Sequence, residues 1–281
     1  MGKFSGWLLF SDLDETLLNH QKEISAENRK ALDYFTQEGG MFSIATGRSE
    51  VISRKFTQIL PINHPAIIYN GCGIYDFSHD CFIRTVTLCR SPMDQAVLQV
   101  LKRFPNICLE VFTQQGMYYA NPNGKIDNNI VREGFPFDQK AYEKIEEPVF
   151  KVLFQSEDNA LLHMVRTFLQ QFLPQDQYEM VTSSDEYLEI LPAHSTKGDA
   201  LQWLKDKGNY KKTVAIGDYE NDLKMLLVAD VSAAVANARP ALLRAASIIT
   251  VDNERHALYD LIFHYLDRGI FLHKTHENQI K

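Results

Sequence analysis

The stretch WLLFSDLDET, residues 7–16, decides the fold class of this 281-residue chain. It begins with a short, mostly apolar run without polar alternation, and two carboxylates follow, Asp12 and Asp14. Runs of this kind are typical of strands that are buried on both faces of a parallel sheet. Because such sheets bind ligands beyond the carboxyl ends of their strands, the stretch predicts both a strand and the edge at which a site lies.

The same pattern, a short apolar run that ends in a polar residue, occurs five more times along the chain. The runs are 41–45 before Thr46, 66–69 before Asn70, 213–217 before Asp218, 231–236 before Asn237 and 247–251 before Asp252. Helical patterns lie between them, over residues 25–37, 197–207 and 221–228. This alternation predicts an α/β fold with a doubly wound, Rossmann-like parallel sheet. The polar residues that follow the runs are expected at one edge of that sheet.

The middle of the chain has a different pattern. A helical segment followed by a hairpin occurs twice, at 92–120 and at 159–191. This order predicts an inserted α+β domain with an antiparallel sheet. We therefore predict a core made of residues 1–82 and 191–281, interrupted by a cap domain at 83–190.

Composition and charge exclude several classes of protein. The formal net charge is −7, and a protein whose main partner is nucleic acid needs a basic face. The four cysteines have no zinc-ligand spacing, and no stretch approaches the ~20 apolar residues of a membrane span. The apolar run near the N-terminus is too short for a signal peptide. These features predict a cytoplasmic protein with no nucleic-acid or membrane partner.

Asp12 and Asp14 form the first motif that indicates chemistry. Residues two apart point to the same side of a strand, and two carboxylates so close repel each other unless a cation lies between them. Mg²⁺ suits oxygen ligands of this kind and bridges carboxylate and phosphate groups. The alternative interpretation is a helix start with acidic residues in its first turn.

Three further motifs follow predicted strands or open predicted helices. Thr46 and Gly47 offer a hydroxyl and free backbone N–H groups that can hold phosphate oxygens, although a plain turn has the same sequence. Lys197 begins a helix, where it opposes the helix dipole unless a phosphate or carboxylates lie nearby; the alternative is a solvated surface lysine. The motif GDYEND at 217–222 supplies metal ligands and an amide, or alternatively an acidic helix start.

The order of these motifs resembles the haloacid dehalogenase (HAD) superfamily of phosphohydrolases, and more closely its Cof-type branch with a large α/β cap. The resemblance covers essentially the whole chain and includes Asn70-Gly71 and the run STKG at 195–198. It implies roles for individual residues. The implied catalytic residues are the nucleophile Asp12 and the general acid/base Asp14; the phosphate-binding residues are Thr46, Gly47, Lys197 and Asn221; the metal ligands are Asp12, the backbone carbonyl of Asp14, and Asp218; and the supporting residues are Asp222, Arg48 and Asn70.

The chain departs from the family pattern at two positions. Glu15 stands where the family often has glycine, and Ala236 stands where the branch often has glycine before Asn-Ala. Neither change removes a catalytic group. Asp14 favours phosphate-ester chemistry, because family members with other chemistry, the dehalogenases and P-type ATPases, lack this second aspartate.

The resemblance implies a Mg²⁺-dependent phosphohydrolase that removes phosphate from a small phosphorylated metabolite, such as a sugar phosphate, through an aspartyl-phosphate. Two alternatives stay open at this point: a phosphomutase of the same fold, and a phosphate-binding regulator without turnover. The cap is expected to select the substrate. Its candidate contacts are Tyr118, Tyr119, Arg132 and Tyr187, although aromatic residues in a hairpin more often serve packing. The oligomeric state is left open by the sequence.

Overall fold

The computed structural model describes residues 2–121, 126, 131 and 134–271. The described chain forms two compact units. One contains the residues up to Phe82 and those from Lys197 onward, and the other is Ile83–Thr196. The chain leaves the inserted unit after Thr196, six residues later than the predicted boundary after residue 190. A strand of the inserted unit continues past that predicted boundary, through Pro192.

Strands and helices of the described chain have well-defined bounds. The strands are β1 Trp7–Ser11, β2 Met41–Ile44, β3 Ala66–Ile68, β4 Gly73–Asp76, β5 Cys81–Thr85, β6 Cys108–Thr113, β7 Gly116–Tyr119, β8 Asp138–Gln139, β9 Val149–Gln155, β10 Tyr178–Ser184, β11 Tyr187–Pro192, β12 Lys212–Gly217, β13 Val231–Ala234 and β14 Ile248–Ile249. The α-helices are α1 Ala26–Gln37, α2 Glu50–Thr57, α3 Arg90–Arg103, α4 Asn159–Leu169, α5 Lys197–Lys207, α6 Leu223–Val228, α7 Pro240–Ala245 and α8 Ala257–Asp260.

The larger unit is built on a five-stranded parallel sheet with the order β14-β13-β12-β1-β2. Strand β1 lies between β12 and β2, and its last residue, Ser11, is paired with Ile216 on one side and Ile44 on the other. The side chains of Leu8, Leu9 and Phe10 are fully buried, which explains why the run shows no alternation. The predicted α/β fold with a parallel sheet is therefore confirmed.

The run 66–69 forms only a short strand, and it leads into a small sheet that the sequence did not predict. β3 pairs with β4 in an antiparallel manner, and β5 completes a three-stranded sheet. A single parallel bridge, Ala45 with Ile67, links β3 to the end of β2. The predicted strand therefore ends at Ile68, and Tyr69–Gly71 is a turn.

The inserted unit is a six-stranded sheet with the order β10-β11-β9-β6-β7-β8. Its pairs are antiparallel, as predicted, except that the short strand β8 pairs with β7 in parallel. An apolar cluster joins the sheet to α3 and α4; it includes Val97, Val111, Val152, Phe154 and Val165. The unit therefore has a hydrophobic core of its own, as expected of a folded domain.

The structure describes some of the residues that were predicted to contact the substrate from the cap. Tyr118 belongs to this cluster and donates a hydrogen bond to Glu147, so it serves packing. Tyr119 is also buried, and its ring packs edge-on against Phe137. Arg132 lies outside the described residues.

Candidate active site

Asp12 and Asp218 lie at the ends of two neighbouring strands. Asp12 follows β1, and its backbone N–H still donates to the carbonyl of Ile216 in β12, 3.0 Å away. Asp218 follows β12 directly. Because β1 and β12 are parallel neighbours, their carboxyl ends meet at the same edge of the sheet, as the sequence predicted.

Three carboxylates gather at this edge. One oxygen from each of Asp12, Asp218 and Asp222 lies within 4.8 Å of the others, and all three residues are buried. A turn at Glu220–Asp222 brings Asp222 back, so that it accepts the backbone N–H of Asp218 at 3.1 Å. This return requires glycine at position 217, because a Cβ there would lie 2.4 Å from the Asp222 carboxyl carbon.

Lys197 neutralises part of this cluster. Its side chain is fully buried, and its Nζ atom lies 2.5 Å from Asp12 and 2.6 Å from Asp222. Burial alone would lower the pKa of Lys197, but the two carboxylates raise it above its ordinary value. The surface-lysine alternative is therefore wrong for Lys197.

The carboxyl groups are left with an excess of negative charge. Burial, opposed by Lys197 and reinforced by Asp222 and Asp14, raises the pKa of Asp12 to about 7. Burial together with the neighbouring Asp12 and Asp222 raises the pKa of Asp218 well above its ordinary range. One ammonium group does not balance three carboxylates, and such a site favours a bound cation.

The carboxylate of Asp14 points away from this cluster. Arg48 binds it in a bidentate manner, with two contacts of 2.8 Å, and Lys22 lies 3.1 Å from one of its oxygens. Burial would raise the pKa of Asp14, but Arg48 and then Lys22 hold it well below its ordinary value. The third carboxylate of the cluster is therefore Asp222, which the sequence predicted only as a supporting residue, and the predicted metal contact of Asp14 is through its backbone carbonyl.

The predicted phosphate-binding residues surround a second feature, a pair of buried amides. Asn221 donates from Nδ2 to Oδ1 of Asn70 at 3.0 Å, across 151 positions of sequence. Asn70 lies beside the Thr46–Gly47 turn: its N–H donates to the Thr46 carbonyl at 3.0 Å, and a Cβ at Gly47 would lie 3.1 Å from its amide. The Nδ2 atom of Asn70 and the Oδ1 atom of Asn221 are buried without a hydrogen-bond partner. An unsatisfied buried donor at such a turn suits an anionic ligand.

Comparison with known proteins gives the family. The sequence model of the haloacid dehalogenase-like hydrolase family matches residues 9–262. The chain belongs to this family. The chain is similar to 5-amino-6-(5-phospho-D-ribitylamino)uracil phosphatase YwtE of Bacillus subtilis, 29% identical with 88% of this chain and 93% of the relative covered. It is also similar to pyridoxal phosphate phosphatase YbhA of Escherichia coli, 26% identical with 91% and 97% covered.

Solved structures support the same fold. A haloacid dehalogenase-like hydrolase from B. subtilis matches with a TM-score of 0.79 at 23% identity, covering 92% of this chain and 99% of that one. A sugar phosphatase of HAD subclass IIB matches with a TM-score of 0.77 at 17% identity, covering 94% and 99%. These matches show the fold, and the family model shows that the chain is a haloacid dehalogenase-like hydrolase. In the described residues of this hydrolase, no helix is long and apolar enough to cross a membrane.

The structure of this hydrolase adds two site residues that sequence reasoning missed. Thr16 donates from Oγ1 to Oδ1 of Asp218 at 2.8 Å, and so orients that carboxylate. Lys22 binds Asp14 from a turn that follows the motif. Thr16 lies within the quoted stretch 7–16, so a signal existed, whereas nothing in the local sequence distinguishes Lys22 from a surface lysine.

Proposed function

We propose that this protein hydrolyses phosphate monoesters of small metabolites, with Asp12 as the nucleophile. The observation that carries the proposal is the fully buried Lys197 between Asp12 and Asp222, beside Asp218 at the same sheet edge. A buried ammonium group among three carboxylates is costly for stability alone, and perturbed groups of this kind concentrate at functional sites.

The residues support a reaction in two steps. A carboxylate oxygen of Asp12 attacks phosphorus, and the bond to the ester oxygen breaks. Asp14 would give a proton to the leaving alcohol, and to hold that proton its carboxylate must first be released from Arg48 and Lys22. Water then attacks the aspartyl-phosphate, Asp14 takes the proton, and the Asp12–phosphorus bond breaks to release inorganic phosphate. Lys197, Thr46, the N–H of Gly47 and Asn70 would stabilise the phosphoryl oxygens.

The donor set at the sheet edge fits Mg²⁺. Its side-chain ligands are carboxylate oxygens, which suit a hard cation and not a zinc ion that prefers sulfur and nitrogen. Asp12, Asp218 and the backbone carbonyl of Asp14 would hold the ion, and Asp222 would remain paired with Lys197. The ion supplies charge neutralisation for the attack of one anion on another.

The affinity for Mg²⁺ should depend on pH. In the cation-free protein the pKa of Asp12 is raised to about 7 and that of Asp218 is raised as well, so both carboxyl groups hold protons at lower pH. A cation binds only the ionised groups, and binding must then release protons. We expect the affinity to be weaker at about pH 6 than at about pH 8, where fewer protons compete with the cation. Calorimetric titrations in buffers of different ionisation enthalpy measure the affinity for Mg²⁺ and the number of protons released on binding. Equal affinity at the two pH values, with no proton release at the lower one, would contradict the assignment of Asp12 and Asp218 as metal ligands.

A phosphate-release assay tests the proposed function directly. The panel should contain sugar phosphates, pyridoxal phosphate and phosphorylated ribityl compounds, each with Mg²⁺ and after exhaustive chelation. Because the named relatives are phosphatases of small metabolites, we expect release from at least one small ester and far less from a phosphorylated protein. Chelation should abolish the release, and added Mg²⁺ should restore it.

The assay also separates the alternatives. Transfer of the phosphoryl group to a second position of the substrate without free phosphate would indicate a phosphomutase. A protein that binds phosphate but turns over no ester, with or without Mg²⁺, would contradict the proposal. Selection of the substrate by the inserted unit, and a cytoplasmic location, stay predictions from the sequence.

A further inference from the structure

Two buried asparagine side chains connect the turn at residues 46–47 with the turn that follows β12. Asn70 and Asn221 are only 1% and 9% exposed, and a single hydrogen bond joins their amides, from Nδ2 of Asn221 to Oδ1 of Asn70 at 3.0 Å. The other polar atoms of the pair, Nδ2 of Asn70 and Oδ1 of Asn221, have no hydrogen-bond partner among the described residues. Buried polar atoms are nearly always satisfied, so these two require an explanation.

The turn that presents Asn70 is held in an unfavourable backbone conformation. Tyr69 and Asn70 have φ 51° and 57°, in the left-handed region that a bulky residue such as tyrosine rarely adopts. Their N–H groups donate to the carbonyls of Arg48 and Thr46, each at 3.0 Å, and the Tyr69 hydroxyl donates to Glu50 at 2.8 Å. Strain of this kind persists where surrounding contacts impose it, and it concentrates at ligand sites. The Asn70 amide is therefore fixed in place by its backbone.

The two unsatisfied atoms are one hydrogen-bond donor and one acceptor. A single bond between two amides always leaves this balance, because each amide has one donor atom and one acceptor atom. Reversing both amides would exchange the roles of Asn70 and Asn221 without changing the balance. A ligand that satisfies both atoms must therefore present an acceptor and a donor close together.

A phosphoryl group meets only half of this requirement. The pair lies beside Thr46 and Gly47, which belong to the proposed phosphate site. Near pH 8 a phosphate monoester is a dianion, because its second pKa is about 6, and its oxygens only accept hydrogen bonds. The phosphoryl group can satisfy the donor of the pair but not the acceptor. The ester must supply the missing donor from its alcohol part, or leave the acceptor to water.

The link between the amides limits where that donor lies in the substrate. The oxygen and nitrogen of one amide are about 2.3 Å apart, so the two unsatisfied atoms, linked through one 3.0 Å bond, lie within about 8 Å of each other. The nearest donor to the phosphoryl group of an ester is a hydroxyl on the carbon next to the ester carbon. A methyl group in its place would displace water from the acceptor without replacing its hydrogen bond, which lowers affinity.

We propose, given the proposed function, that Asn70 and Asn221 select phosphate esters of polyols, in which a hydroxyl group stands on the carbon next to the ester carbon. The donor of the pair holds a phosphoryl oxygen, and the acceptor receives the hydroxyl hydrogen. The pair thereby distinguishes polyol esters from alkyl esters and from phosphomethyl groups on aromatic rings, which have no hydroxyl at that position.

The test compares 2-hydroxyethyl phosphate with propyl phosphate, two esters of equal size in which a hydroxyl replaces a methyl group. We expect kcat/KM of the wild-type protein to favour the hydroxyl ester by at least about tenfold, because a buried acceptor left unsatisfied has a cost of this size. In Asn221→Ala the preference should fall to the value set by the leaving groups themselves. Asn70→Ala should lower the rates with both esters by the same factor.

Binding separates this selection from catalysis. Asp12→Asn, in which we expect turnover to be lost, can be titrated calorimetrically with the same two esters in the presence of Mg²⁺. The dissociation constants should differ in the same direction as the rates. Adding Asn221→Ala to Asp12→Asn should remove the difference.

Asn28→Ala is the matched control. Asn28, in α1, is a buried asparagine whose Oδ1 accepts the N–H of Tyr259 at 3.1 Å, and its Nδ2 has no partner in the part of the chain that the structure describes. It joins α1 to α8 and does not belong to the turns that hold the amide pair. The change should lower the thermal midpoint and leave the preference between the two esters unaltered.

Each outcome decides between the alternatives. Equal rates and equal dissociation constants for the two esters would contradict the proposed selection, and so would a preference that survives both alanine changes. Loss of the preference in Asn70→Ala, with a uniform loss of rate in Asn221→Ala, would support the pair with its two roles exchanged. If the wild-type protein releases phosphate from no ester while Asp12→Asn binds the hydroxyl ester more tightly, the proposed function fails and the recognition of the hydroxyl group stands.

Discussion

Replacing Asp12 by asparagine should reduce turnover by more than about 10²-fold, the lower end of what a single acid/base group supplies, while the protein remains folded. Asparagine has the same shape but cannot form the acyl phosphate. The fold should tolerate the change because Lys197 keeps Asp222 as a partner at 2.6 Å. Phosphate release under steady-state conditions and the thermal midpoint measure the two expectations.

Asp33→Asn provides the control for this substitution. Asp33 is an exposed residue of α1, and the same change of charge there should leave the rate unaltered. Mass spectrometry after acid quench should detect a phosphorylated species in the wild-type protein and none in Asp12→Asn. If Asp12→Asn retains more than about a hundredth of the wild-type rate, another group is the nucleophile.

Replacing Lys197 by methionine should cause the largest loss of stability. The side chain is fully buried and is the ammonium partner of both Asp12 and Asp222. Methionine fills a similar volume, but it leaves the carboxylates without their counter-charge. Breaking one side of a buried ion pair costs about 3–5 kcal/mol, and we expect a loss of free energy of unfolding in that range without Mg²⁺. Chemical denaturation above pH 7, where more of the Asp12 carboxyl group is ionised than at lower pH, measures this loss.

Lys205→Met is the matched variant. Lys205 also pairs with an aspartate, Asp230, at 2.9 Å, but both side chains are partly exposed, so the pair should contribute only about 0–1 kcal/mol. Added Mg²⁺ should restore part of the stability of Lys197→Met, because a cation would neutralise the same carboxylates, and it should not affect Lys205→Met. Equal losses for the two variants would show that the buried charges around Lys197 are already neutral.

Much of the site could be predicted from short stretches of sequence. The apolar runs mark strands, and in a parallel sheet every carboxyl end lies at the same edge, so a polar residue after each run is assigned to that edge without knowledge of the fold in detail. This reasoning places Asp12 and Asp218 correctly after β1 and β12, whereas Asn70 lies in the turn that follows β3. It also predicts the inserted α+β domain, because a change of periodicity is visible locally.

Contacts between distant residues were beyond that reasoning. Which carboxylate completes the buried cluster depends on the turn that returns Asp222 to Asp218, and on Arg48, which draws the Asp14 side chain away. The inserted unit likewise extends to Thr196, beyond the end of β11 at Pro192, and the local pattern of apolar residues did not mark that boundary.

The sequence by itself determined the fold class, the sheet edge and the residue types that meet there, because strand periodicity and the identity of the following residue are local properties. Tertiary structure alone decided how the charges are paired: Lys197 with Asp12 and Asp222, and Asp14 with Arg48 and Lys22. The physical reason is that an ion pair depends on the positions of two side chains in space. Lys197 and Asp12 are separated by 185 residues, and only the parallel packing of β1 and β12 and the start of α5 bring them to 2.5 Å.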